Sequence, residues 1–387
     1  MNTPWTLHRK PDGHDWRISP TLKSSRLEAG LNSFAIVDKE RIRNLQPVYF
    51  ALVMATSIVA TACQLEDLSQ IAQLLTGLNA AIFVLLSFLT LARLGLFRRE
   101  MHNDLVNHAR APGFLTIPAG SALLGCQFVL IEDWHKVALL LWIGGLVSWV
   151  LLTYVILATF TVKERKPALD EGINGGWLLA VVSTQAVAQL SLLLMPASNE
   201  ADVFLFLGLA LWLWGGMLYI WMISLIFYRY TFFTFAPSDL MPTYWINMGA
   251  MAISTLVGVL LSERIGNSPL REIRPFVEGL TVFFWATATW WIPMLVILGF
   301  WRHIIKRFPL SYDPLYWGAV FPLGVYSVAT YSLAEFWHLQ FLRWVPKCFA
   351  YLALAAWLAT FAGMANAVFR PRVLPPNLRK SGQDSPT

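Results

Sequence analysis

Long apolar stretches separated by polar loops follow one another from residue 47 to residue 369. There are ten: 47–65, 70–97, 112–131, 135–162, 172–195, 202–228, 241–261, 273–301, 316–334 and 345–369. A helix needs about 20 mostly apolar residues to cross the roughly 30 Å hydrocarbon layer of a bilayer, and most of these stretches are long enough. Transmembrane β-strands alternate apolar and polar residues with period two, and that alternation is absent. The pattern predicts an all-α polytopic membrane protein with ten transmembrane helices. Loops after odd stretches tend to be short, as at Glu66 to Ser69 and Glu132 to Trp134, and longer basic loops tend to follow even ones. Five antiparallel hairpins are the natural arrangement.

The two members of each hairpin differ in composition. Odd stretches carry small and polar residues; even ones lean on Leu, Val, Ile, Phe and Trp, although the eighth keeps a Thr- and Ala-rich centre. Bulky apolar side chains suit lipid, whereas small residues permit close backbone approach and neutral polar groups need internal partners. The odd helices are therefore expected to form an inner ring around a central pore, and the even ones, with Phe284 on the eighth, to face lipid. Thr56, Ser57, Pro118, Gly120, Thr184, Asn247, Gly249, Pro322 and Gly324 are the candidate pore-lining residues. The competing reading of each is tight helix packing, with hydroxyls bonded back to their own helix. Pro118 and Pro322 sharpen the first reading, since each frees a carbonyl, of Phe114 and Gly318, and kinks its helix. Pro293, on an outer helix, shows that packing alone can also place a proline.

Composition agrees with a membrane protein: 56% hydrophobic, 13% charged residues and a mean hydropathy of +0.54 leave too little polar surface for a soluble chain of 387 residues. Of the 29 Lys and Arg, only Lys136, Arg264, Arg271, Arg274, Arg343 and Lys347 fall on one side of the hairpin scheme. The positive-inside rule puts the other side, with both termini, in the cytoplasm. The +6 net charge then reflects this bias and attraction to anionic lipid, and nucleic acid is not an expected partner. The expected organisation is a cytoplasmic N-terminal tail (1–46), a ten-helix domain (47–369) and a short basic C-terminal tail (370–387), in the cytoplasmic membrane. No cleavable signal is read before Pro47, where Pro11, Asp12, Gly13 and Asp15 interrupt any apolar run.

The odd stretches have no charge in their interiors, which disfavours a proton relay or a cation channel with an acidic ring. Glu278 is the deepest acidic candidate, but Arg274 four residues earlier points to an ion pair at the interface; Glu335 and His338 also sit near a surface. Cys63, Cys126 and Cys348 are dispersed, the seven histidines show no paired metal spacing, and Gly120 to Gly125 lacks the Lys and Ser or Thr of a phosphate loop. No catalytic residue, metal or cofactor is expected. Trp134, Trp177, Trp245, Trp301, Trp317 and Trp344 lie near segment ends, as an aromatic belt requires. Without a nucleotide-binding module, transport must be passive or driven by an ion gradient.

Five stretches in order, NLQPVYFALVMATSIVATA, DLVNHARAPGFLTIPAGSALLGCQ, GINGGWLLAVVSTQAVA, MPTYWINMGAMAI and WGAVFPLGVYSVAT, resemble the tellurite-resistance/dicarboxylate transporter family. That family includes bacterial TehA proteins, plant slow anion channels and fungal malic-acid and sulfite transporters, and the resemblance covers residues 44–369. It implies five hairpins about a quasi-five-fold axis, odd helices lining the pore, and a homotrimer with one pore per subunit. It also implies a gating phenylalanine on the ninth helix, here Phe321. Ser57 departs from the glycine common at its position. The function expected is an anion channel or transporter passing small anions through a phenylalanine-gated pore. The alternatives are a proton-coupled C4-dicarboxylate (malate-type) carrier or a sulfite- or tellurite-related exporter and, from another class, a membrane-embedded enzyme or scaffold.

Overall fold

The computed structural model describes residues 39–197, 200–266 and 268–369. The expectations for residues 1–38 and 370–387 lie outside the described residues, as does Ser198, in the loop that the hairpin scheme places on the side away from the termini. The described residues from Gln46 onward belong to one compact unit. They form helices without strands: α1 (Phe50–Leu65), α2 (Ser69–Leu96), α3 (Thr116–Gln127), α4 (His135–Val162), α5 (Leu179–Leu194), α6 (Ala201–Phe232), α7 (Ile246–Ile265), α8 (Arg274–Phe300), α9 (Trp317–Phe336) and α10 (Trp344–Phe369). Counted with their short flanking turns, nine of these helices are long and apolar enough to cross a membrane among the described residues. α9 is the exception to the ten spans expected, because Gly318, Pro322, Gly324, Ser327 and Thr330 lower its hydropathy.

Consecutive helices pair as hairpins, α1 with α2 through α9 with α10, and α1, α3, α5, α7 and α9 touch in sequence and close a ring from α9 back to α1. Burial separates the two sets: 78% to 94% of the spans of α1, α3, α5 and α7 is buried, against 17% to 22% for α2, α4, α8 and α10, with α6 at 50%. The composition contrast is thus a physical one. Phe284 departs from it, being buried on α8 with its ring against Trp212 and beside Gly216. The outward face of α8 carries Phe283 instead.

Each inner helix begins with a 3₁₀ turn: Pro47–Tyr49, Ala111–Leu115, Gly175–Leu178, Pro242–Trp245 and Pro314–Tyr316. Proline stands at the first or second position of four of them, where its missing N–H has no intrahelical partner to lose. The fifth has Gly175, because a Cβ there would lie 2.5 Å from the Thr243 oxygen; Asn174 Oδ1 caps the turn by accepting from the Gly176 N–H at 2.8 Å. Two residues after each opening position stands an aromatic: Tyr49, Phe114, Trp177, Tyr244 and Tyr316. This five-fold repeat marks where each inner helix enters the ring.

Short loops close three hairpins with a residue in the left-handed conformation: Asp67 (φ 59°), Asp133 (φ 59°) and His338 (φ 55°). After two of these helices a Schellman bond follows, from the Leu68 N–H to the Cys63 oxygen at 2.9 Å and from the Leu339 N–H to the Ala334 oxygen at 2.8 Å.

Candidate functional site

The inner helices are in register. Taking Pro47, Pro112, Gly175, Pro242 and Pro314 as starting points, three of the contacts across the ring join residues within one position of each other. A Cβ on Gly113 would meet the Val48 nitrogen at 3.3 Å, one on Gly249 the Pro322 Cγ at 2.8 Å, and one on Gly324 the Ile58 Cγ2 at 2.7 Å. Counting seven from each start gives one layer of Met54, Ala119, Val182, Gly249 and Phe321. Phe321 is 1% exposed and is among the largest fully buried side chains of the protein.

The nominated lining residues divide into two groups. The hydroxyls of Thr56, Ser57 and Thr184 and the amide nitrogen of Asn247 are engaged from outside the ring: Trp357 Nε1 donates to Thr56 Oγ1 at 2.9 Å, Asn79 Nδ2 to Ser57 Oγ at 2.8 Å and Trp149 Nε1 to Thr184 Oγ1 at 2.8 Å, while Asn247 Nδ2 donates to the Tyr230 hydroxyl at 3.3 Å and Asn247 Oδ1 has no partner. An unpaired indole N–H or carboxamide in lipid is costly, and inner-helix oxygens are the nearest acceptors. Gly120, Gly249, Pro322 and Gly324 stand where neighbouring inner helices touch, Gly120 with its Cβ position 3.3 Å from the Phe50 oxygen. Pro118 is buried, with its carbonyl turned towards Gly145 of α4.

These outward bonds form a second repeat that the sequence reading missed. Every outer helix ties itself to the inner helix of the next hairpin. α2 does so with Asn79 Nδ2 donating to Gln127 Oε1 at 2.8 Å, and α4 with Trp142 to Ser191 Oγ at 2.8 Å as well as Trp149. α6 uses Trp212 to the Ser254 carbonyl at 2.8 Å and α8 Trp285 to Thr330 Oγ1 at 3.1 Å. Trp357 of α10 closes the circle on α1. Tryptophans in the middle of even stretches were the available signal. As for the expected belt, Trp134 and Trp344 are exposed, but Trp317 is fully buried, because the turn Pro314–Tyr316 carries it inward to the Trp357 ring.

Cations at the ends of outer helices hold the entrance turns. Lys163 Nζ donates to the Val106 oxygen at 2.9 Å, Arg229 Nη1 to the Ile173 oxygen at 2.9 Å and Arg302 Nη1 to the Leu240 oxygen, each just ahead of the inner helix of its own hairpin. Arg93 is buried with Asp104 at 2.6 Å, fixing the short helix Arg98–Leu105. Beside Arg229 lies a cavity of about 350 Å³, but Asp170, Glu171 and Asp239 line it too and make it unfit for an anion. On the described inner helices the charged residues are Glu263, Arg264 and Glu335, all near an end. Glu335 pairs with Arg343 at 2.6 Å, and Glu278 with Arg274 at 2.9 Å.

Residues 44–365 match the family described as voltage-dependent anion channel. The chain is 24% identical over 335 residues to an uncharacterized transporter of Methanocaldococcus jannaschii, covering 85% of this chain and 96% of that one. It is 23% identical over 361 residues to a sulfite efflux pump of Arthroderma benhamiae, covering 87% and 94%. Over 150 residues it is 38% identical to an uncharacterized membrane protein of Mycobacterium tuberculosis, covering 38% of this chain and 76% of that one. With its helical ring and its charge-free inner faces, this multi-pass membrane protein belongs to the voltage-dependent anion channel family, a family of anion channels and transporters.

Proposed function

We propose that the protein carries small monovalent anions along the axis of the ring formed by α1, α3, α5, α7 and α9, with Phe321 as the constriction. The observation that carries this reading is Phe321 itself, a fully buried ring in a layer whose other members, Met54, Ala119, Val182 and Gly249, are smaller or flexible. An anion crossing a dry aromatic constriction sheds its water, a barrier of the dewetting kind, and an uncharged wall keeps binding weak enough for release. Pro322 leaves the Gly318 carbonyl without its helical donor, so α9 can bend there and move the ring. In this reading lining falls to the faces that keep the layer of Phe321, and the hydroxyls of Thr56, Ser57 and Thr184 hold the wall together from behind.

The loop charges support a cytoplasmic-membrane location with both termini inside, the domain spanning 47–369, and the family resemblance supports a homotrimer. A proton-coupled C4-dicarboxylate carrier is the second reading. It needs a titratable group near the axis, and the ion pairs of Glu278 and Glu335 near helix ends weigh against it. The sulfite pumps among the relatives favour an oxyanion cargo; tellurite remains a further candidate by resemblance alone. Reconstitution into liposomes with chloride, nitrate, sulfite and malate tests the proposal. Uptake that follows the imposed voltage without a pH gradient supports it, and an absolute need for a pH gradient sinks it in favour of the carrier.

A further inference from the structure

Gln189 lies in the second half of α5, seven residues after Val182, and seven residues return a helix to within about 20° of the same face. Its side chain is 3% exposed, yet Oε1 has no hydrogen-bond partner. The other buried carboxamides of the inner helices have their nitrogens tied: Gln127 Nε2 donates to Thr76 Oγ1 at 2.9 Å, Gln185 Nε2 to the Trp212 oxygen at 3.1 Å, and Asn247 Nδ2 to Tyr230. No such bond from Gln189 Nε2 is seen among the described residues. Gln185 Oε1 and Asn247 Oδ1 are unpaired as well, so the untied nitrogen is what sets Gln189 apart, and a buried amide engaged at neither end calls for a ligand.

Its level in the ring has a second polar feature. Fourteen residues from the opening positions stand Thr61, Cys126 and Gln189, with Leu256 and Val328 completing the layer. Gly125, the neighbour of Cys126, has its Cβ position against Leu190, the neighbour of Gln189, so α3 and α5 touch at this depth with an offset of two positions. Thr61 gives its hydroxyl hydrogen to the Ser57 oxygen at 3.0 Å, so towards the layer it can only accept. The layer lies two turns, about 10 Å, beyond that of Phe321.

We propose that Gln189 is the recognition point for a small monovalent oxyanion that carries its own hydrogen, of the hydrogensulfite type. The inference rests on the axial pathway proposed above and names its cargo class. The carboxamide offers an N–H to a charged oxygen and Oε1 to the anion's O–H, and Thr61 offers a second acceptor. Chloride and nitrate have no hydrogen to give and leave Oε1 unpaired, which is how a buried polar pair discriminates.

Flux of hydrogensulfite and nitrate into liposomes, at a pH that keeps sulfite singly protonated, tests this in wild type and in a Phe321→Ala background. Gln189→Leu and Gln189→Met, the second keeping the length of the side chain should the first fail to fold, are expected to lower the hydrogensulfite-to-nitrate flux ratio by about ten-fold, the loss of one hydrogen bond to a charged group. An unchanged ratio in a folded variant overturns the role of Gln189 while the pathway stands. If Phe321→Ala with native Gln189 raises the flux of neither anion, the axial reading fails first, and the proposal with it.

Discussion

Gly249 of α7 and Pro322 of α9 meet without room for a methyl group: a Cβ on Gly249 would lie 2.8 Å from Pro322 Cγ and 3.0 Å from its Cβ. The residue beside the hinge of α9 therefore rests on a glycine, and the contact couples α7 to the position of Phe321. Gly249→Ala should cost roughly 1 to 3 kcal/mol through overpacking, or displace α9 and alter flux. Pro322→Ala removes Cγ, so the double variant should recover part of the loss. Thermal unfolding in detergent reads both, and strictly additive effects would show that the contact does not couple the two helices.

Trp357 closes the ring by donating to Thr56 across 301 residues of sequence. Trp357→Phe removes the donor and keeps most of the apolar surface; hydrogen bonds between membrane helices average about 0.6 kcal/mol and reach about 1.7. A double-mutant cycle with Thr56→Val should give a coupling in that range. A coupling of zero would mean that the hairpins close without this bond.

His108, in the loop before α3, titrates below its ordinary value of 6.5, first because burial disfavours the charged form and then because Lys163 and Lys166 lie near. Its ring stacks on Phe160 with centroids 4.0 Å apart. Because the folded state holds this proton less tightly than the unfolded state, the neutral imidazole suits the fold above 6.5, and stability is lost as pH falls below that value. Unfolding temperatures at mildly acidic and neutral pH should differ less in His108→Phe than in wild type; an identical pH slope in both would exclude His108 as the cause.

Glu278 is bound to Arg274 at the start of α8, away from the ring. Glu278→Gln should leave anion flux within about two-fold of wild type, since a half-buried i, i+4 pair at a helix start contributes only a few tenths of a kcal/mol and lies away from the pathway. Complete loss of flux, at normal protein levels, would revive the proton-coupled reading.

Hydropathy and the contrast between odd and even stretches made the hairpins and the inner ring legible, because burial among helices and exposure to lipid select different side chains. What sequence alone hid was direction. Thr56, Ser57 and Thr184 read as lining because they are polar on an inner helix, but which side of the helix they occupy depends on Trp357, Asn79 and Trp149 from other hairpins. Phe284 read as lipid-facing because its helix is, although Gly216 opens a place for its ring inside. The entrance repeat was visible in principle as proline followed by an aromatic two positions later. Its third copy, with Gly175 in place of proline, broke the pattern where Thr243 approaches too closely.

The central claim is that Phe321 blocks the axis, and anion conductance of Phe321→Ala tests it most directly. Phe283→Ala, on the exposed face of α8, is the proper control, since Phe284 is buried. Flux into liposomes or single-channel current should rise at least several-fold in Phe321→Ala and stay at the wild-type level in Phe283→Ala, with equal amounts of folded protein. Equal flux from Phe321→Ala and wild type would contradict the account and leave Phe321 as a packing residue.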